Sequence, residues 1–102
     1  MDRLQTLLSF LEMDPADEFT RFAIAMEHVN AGRDADALDW FSQILERNER
    51  YIGVYYHLGK TFERMNRPDD AGDVYTRGIA LARSMNDHHA ASELEGALFE
   101  LR

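Results

Sequence analysis

Histidine is the side chain in this sequence best able to bind a metal or move a proton near neutral pH, and there are four of them. To act, His28, His57, His88 and His89 would have to meet one another or a carboxylate at ligand spacing. Their positions do not provide that. No histidine stands one helical turn from another in a known ligand signature, and the adjacent His88 and His89 diverge by about 100° around any helix that carries them. Ser9, Ser42, Ser84 and Ser92 fall within expected helices or at their ends, not on the strand-to-helix turn that exposes a nucleophile. Cysteine is absent, which removes thiolate chemistry and disulfides, and no glycine-rich phosphate loop is present. The chain therefore reads as non-enzymatic, with no catalytic residue, no metal ligand and no cofactor expected.

The elements that carry these residues must come from one compact domain, because 102 residues leave little room for a second core. A hydrophobic content of 45% against 29% charged residues places the chain among folded proteins, not disordered ones. The formal charge of −8 repels phosphate backbones and anionic lipid surfaces, and the eleven basic residues are scattered apart from a short strip at Lys60, Arg64 and Arg67. Neither nucleic acid nor membrane is expected as a partner. Asp2, Gln5 and Glu12 interrupt the first apolar stretch, so it has neither the uninterrupted centre of a signal peptide nor the length of a membrane span. Together with the missing cysteines this points to the cytoplasm.

Hydrophobic spacing predicts helices throughout. Leu4, Leu7, Leu8 and Leu11 form one apolar stripe over residues 2–12, with Asp2 as cap. A second helix is expected over residues 15–31, opened by an Asp14 cap and Pro15 at its first position, and closed by Gly32 in the left-handed conformation. Asp34 is expected to cap a third helix ending near Arg47, with Ala37, Leu38, Phe41, Ile44 and Leu45 inward. Tyr51, Tyr55, Leu58, Phe62 and Met65 mark a fourth, in which Gly59 lets a neighbouring helix approach. Asn66 then takes the role of Gly32, Pro68 opens a fifth helix reaching about Met85, and a sixth spans about residues 87–101. The two-to-three-residue turn between the second and third helices forces them antiparallel.

The pattern repeats. Ile24-Ala25 stands one period before Leu58-Gly59, His28 before Phe62, and Ala37-x-x-x-Phe41 before Ala71-x-x-x-Tyr75, at a spacing of about 34 residues. In this period and in these positions the chain closely resembles the tetratricopeptide repeat (TPR) family. The resemblance implies an all-α fold, a right-handed superhelical stack of antiparallel helix hairpins with about six helices. Residues 1–13 would be an N-terminal capping helix, 18–51 repeat one, 52–85 repeat two and 87–102 a C-terminal capping helix. Leu7 and Phe10 lie one period before Phe41 and Ile44, so the first helix is in phase with the second helix of a truncated repeat.

It also implies a binding scaffold, because in this family the first helix of each pair lines a concave groove that takes an extended or helical peptide. Carried over in phase, the groove comprises Phe22, Met26 and Asn30 beside Tyr56, Lys60 and Arg64, with Phe19 at the rim. The alternative for Phe22 and Met26 is packing against the neighbouring helix. Tyr56 has an independent warrant: Tyr55 already serves the core at that turn, so its neighbour points elsewhere. Lys60 and Arg64, above it at successive turns, would select acidic groups on the peptide. The chain departs from the family's carboxylate-clamp subclass, since Phe22 and Met26 are apolar and His57 replaces an asparagine there. The partner is thus an unspecified protein or peptide, and the chain a monomer or a weak homodimer joined through an end helix or its convex face.

Overall fold

The computed structural model describes residues 2–101; Met1 and Arg102, the outermost residues of the two expected capping helices, lie outside the described residues. Six helices follow one another: α1 (Arg3–Met13), α2 (Glu18–Asn30), α3 (Asp34–Arg47), α4 (Gly53–Arg64), α5 (Pro68–Ser84) and α6 (His88–Glu100). No strand occurs among the described residues, and no helix is long and apolar enough to cross a membrane.

Helices α2 and α3 form one hairpin and α4 and α5 another, with α1 packed on α2 and α6 packed chiefly on α5. The turns after α2, α4 and α5 use one device. Gly32, Asn66 and Asn86 adopt φ of 77°, 63° and 56°. The residue after each donates its backbone N–H to a carbonyl five positions back: Arg33 to His28 at 2.9 Å, Arg67 to Phe62 at 2.9 Å, Asp87 to Ala82 at 2.8 Å. A left-handed residue followed by this bond satisfies carbonyls that the helix end would leave orphaned, and glycine and asparagine tolerate that conformation best.

The core is continuous from α2 to α6. Phe41, Ile44, Val54, Tyr55, Leu58, Tyr75 and Leu94 are buried in one cluster, while Leu7, Ala23 and Ile24 form a smaller one beneath α1, with Trp40 touching both. Two glycines set the helix spacing in the second hairpin. A Cβ at Gly59 would lie 2.1 Å from Cε1 of the fully buried Tyr75, and one at Gly78 would lie 2.8 Å from Cβ of Tyr55 and 2.9 Å from Cδ1 of Leu94.

Three local expectations are corrected. Helix α2 begins at Glu18, not Pro15, and its cap is Asp17, whose Oδ1 accepts from the backbone N–H groups of Phe19 at 3.1 Å and Thr20 at 3.4 Å. Pro15 stays in the preceding turn because its carbonyl accepts from the guanidinium groups of Arg21 and Arg47. Asp34 does not cap α3; its carboxylate accepts from Nε of Arg64 at 2.9 Å, and Arg33 at the cap position makes no capping bond. Tyr51 precedes α4, where its ring stacks on Phe22 at a centroid distance of 5.8 Å.

Candidate peptide-binding groove

Helices α2 and α4, the first of each hairpin, and α6, which follows them two residues out of the repeat register, carry the residues of interest. On α2, Phe19 is 71% exposed and Asn30 is exposed, whereas Met26 is half-buried against the core. Phe22 is also half-buried. Its ring lies 6.1 Å from Phe41, 5.8 Å from Tyr51 and 5.6 Å from His57, so it wedges α2 against α3 and the start of α4. The residue that continues this aromatic path toward α6 is His57, in edge contact with Tyr56 at 5.5 Å. Phe22 and Tyr56 therefore belong to one surface, joined through His57 rather than by direct contact.

Tyr56 stands over the junction of α4 and α6. With Ile52, Asp87, His89 and Glu93 it lines a recess of about 210 Å³. Tyr55, one residue earlier, is buried against the core, and its hydroxyl donates to the carbonyl of Glu49. Neighbouring tyrosines thus divide the work, one holding the fold and the other facing the recess.

The cations above Tyr56 are already engaged. Nζ of Lys60 lies 5.5 Å from the centre of the Tyr56 ring and 3.6 Å from Oε2 of Glu63. Arg64 pairs with Asp34 and donates to the Thr61 hydroxyl at 3.0 Å. Glu63 also accepts from the Tyr75 hydroxyl, and burial together with that carboxylate holds the Tyr75 pKa far above the ordinary phenol value. No cation pairs with Glu93 among the described residues; its carboxylate acts on His57 across the α4–α6 junction. Burial outweighs that attraction and, aided by Arg64, lowers the His57 pKa below its ordinary 6.5, so the ring is neutral at pH 7.

His57, Asp87, His89 and Glu93 were not among the residues assigned to the groove from sequence. His89 and Glu93 on α6 and Asp87 at its N-cap were obscured because that helix is two residues out of the repeat register, and His57 because its neighbours come from two other helices. His28 is half-buried, its Nδ1 accepting from Nε of Arg33 at 2.9 Å. Among the described residues no three of His, Asp and Glu gather as a metal site.

A stack of short helical hairpins with side chains presented on the first helix of each pair defines a helical-repeat protein. No protein-family model matches the chain, and no curated protein does. Solved structures do. A tetratricopeptide repeat domain protein of Salinibacter ruber, solved in solution, is 43% identical over 87% of this chain and 90% of its own, with a TM-score of 0.82. A crystal structure from the same organism gives 42% identity, coverage of 83% and 94%, and a TM-score of 0.79. The chain belongs to the tetratricopeptide repeat family. PcrH in complex with the chaperone binding region of PopD has the same fold, with a TM-score of 0.87 at 15% identity over 96% of this chain and 74% of PcrH.

Proposed function

We propose that this protein is a non-enzymatic interaction module that holds a peptide segment of a partner protein across α2, α4 and α6. Tyr56 is the observation that carries the reading. A half-buried tyrosine whose core role is filled by its neighbour, set over a recess between two helices, is suited to anchor an inserted apolar side chain. Phe19 offers apolar area at the rim, and Phe22 and Met26 stiffen the floor while exposing part of their surface. Asn30 is free to bond the peptide backbone.

The charge pattern shifts the preference away from the acidic peptide expected from Lys60 and Arg64. An anionic group would have to compete with Glu63 for Lys60 and with Asp34 for Arg64, whereas Asp87 and Glu93 flank Tyr56 and the whole chain carries −8. An apolar segment bearing lysine or arginine suits this surface better. Panning a random peptide display library on the wild-type protein tests both points. The enriched sequences should combine an aromatic or aliphatic anchor with a basic residue, and Tyr56→Ala should weaken their binding by about 1–3 kcal/mol while the domain stays folded. Enrichment of acidic sequences would refute the charge assignment; binding untouched by Tyr56→Ala, or unfolding caused by it, would refute the groove.

A further inference from the structure

His57 sits where the two halves of the groove meet. Its ring lies nearly parallel to the buried Phe41 at 6.4 Å, with Phe22 in edge contact at 5.6 Å and Tyr56 at 5.5 Å. Three rings fix its place and leave one open side. Neither ring nitrogen bonds to a described residue, and among those residues the one buried side-chain nitrogen or oxygen without a partner is Nε of Arg21, so both His57 nitrogens reach solvent. Phe41 closes the core side of the ring, and the open side is therefore the groove between Phe22 and Tyr56. A neutral imidazole there offers one donor and one acceptor, a pair that a peptide backbone or a polar side chain can satisfy.

We propose that His57 makes the groove release its partner in acid: the neutral ring hydrogen-bonds the bound segment, and the protonated ring repels its basic residue. This release presupposes the groove and the basic partner proposed above. Proton uptake turns the acceptor nitrogen into a second donor, so the bond it accepted from the partner is lost. It also places a positive charge beside Tyr56, on the path that a lysine or arginine takes toward Asp87 and Glu93. Glu93 then has a cation of its own chain to answer, which lessens its pull on the partner. All three effects weaken binding.

The charges that act on the ring come from two helices. Glu93 on α6 favours the proton, and Arg64 on α4 opposes it. Lys60, also on α4, is held by Glu63, and Asp34 of α3 is held by Arg64. Helices α2 and α3 meet the ring itself with the uncharged Phe22 and Phe41. His89 lines the recess with Tyr56 and is the other histidine on the partner's path. Burial outweighs Glu93, so the free His57 titrates below 6.5, and a partner that bonds the neutral form lowers that midpoint further. Affinity is then fully present at neutral pH and is lost as the pH falls through the free ring's midpoint.

The probe is a library peptide enriched on the wild type at neutral pH and free of His, Asp and Glu, so that it does not titrate itself. Calorimetry reads its affinity from about pH 7.5 to about pH 5, with circular dichroism verifying the fold at each step. The dissociation constant should rise about tenfold for each pH unit below the His57 midpoint, which NMR of the ring locates, and the peptide should move that midpoint down. His57→Gln keeps a donor and an acceptor without titrating, so it should bind at neutral pH within about threefold of wild type and hold that affinity into acid. His89→Gln should follow the wild-type curve. If the His57 variant does not fold, the wild-type ring titrated with and without peptide decides alone. An equal midpoint in the two titrations, a slope that survives His57→Gln, or one that vanishes in His89→Gln would overturn the release, and loss of affinity in Tyr56→Ala in the same assay would leave the groove standing. A library that yields no such peptide overturns both.

Discussion

Replacing Gly59 with alanine adds one methyl group at the closest approach in the molecule. The new Cβ would sit 2.1 Å from Cε1, 2.5 Å from Cζ and 2.7 Å from Cδ1 of Tyr75. That ring has nowhere to go, being 0% exposed with its hydroxyl held by Glu63 on the next turn of α4. Overpacking of a rigid core costs about 1–3 kcal/mol, and contacts this short belong at the upper end. Alanine's better helix propensity returns about 1 kcal/mol at most, leaving a net loss of about 2 kcal/mol. For a domain of this size that is a fall of roughly 8–16 °C in melting temperature. Gly96→Ala is the control, since nothing lies within 4 Å of its Cβ position in α6; the same substitution there should raise stability by up to about 1 kcal/mol. Thermal and urea melts followed by circular dichroism read both. In a Tyr75→Leu background the shorter side chain should make Gly59→Ala neutral or mildly stabilising. A Gly59→Ala protein that melts at or above wild type would show that α4 and α5 are not as close as described.

Acid should weaken the fold through His57. Its folded pKa lies below 6.5, so the neutral ring contributes stability that is fully present above that pH and is lost as the pH falls below it. Urea midpoints measured from about pH 7 to pH 5 should therefore drop faster for wild type than for His57→Gln, and parallel curves would contradict the burial assigned to the ring. At the second hairpin turn, Asn66 holds φ 63°. Asn66→Gly should leave stability level or slightly higher, while Asn66→Ala should lose about 1 kcal/mol by denaturant melt; equal stability of the two would argue against a left-handed residue there.

The repeat and its core were legible because they depend on short spacing. Gly59 announced close packing, and Gly32 and Asn66 announced turns, from their identity and position alone. The helix starts were less so, for reasons that lie far along the chain. Asp14 looked like a cap, but Arg47 reaches back to the Pro15 carbonyl and keeps that segment out of α2, so Asp17 caps instead. Asp34 was a sound cap by type and place, yet Arg64, thirty residues later, takes its carboxylate. The same pairing hides the character of the groove. Lys60 and Arg64 read as a cationic strip in one dimension; Glu63 pairs with Lys60 by i,i+3 spacing within α4, whereas only the fold brings Asp34 to Arg64.

Nearly every substantial contact in this molecule joins a helix to its immediate successor; among the described residues, α4 with α6 is the one pairing of that weight that skips a neighbour. A chain organised this way closes only short loops as it folds, so the folding time should be on the order of milliseconds or less. Order can begin in either hairpin and spread outward one helix at a time. The two end helices, each leaning mainly on one neighbour, should then be the first to exchange their amide protons with solvent, well before the middle opens.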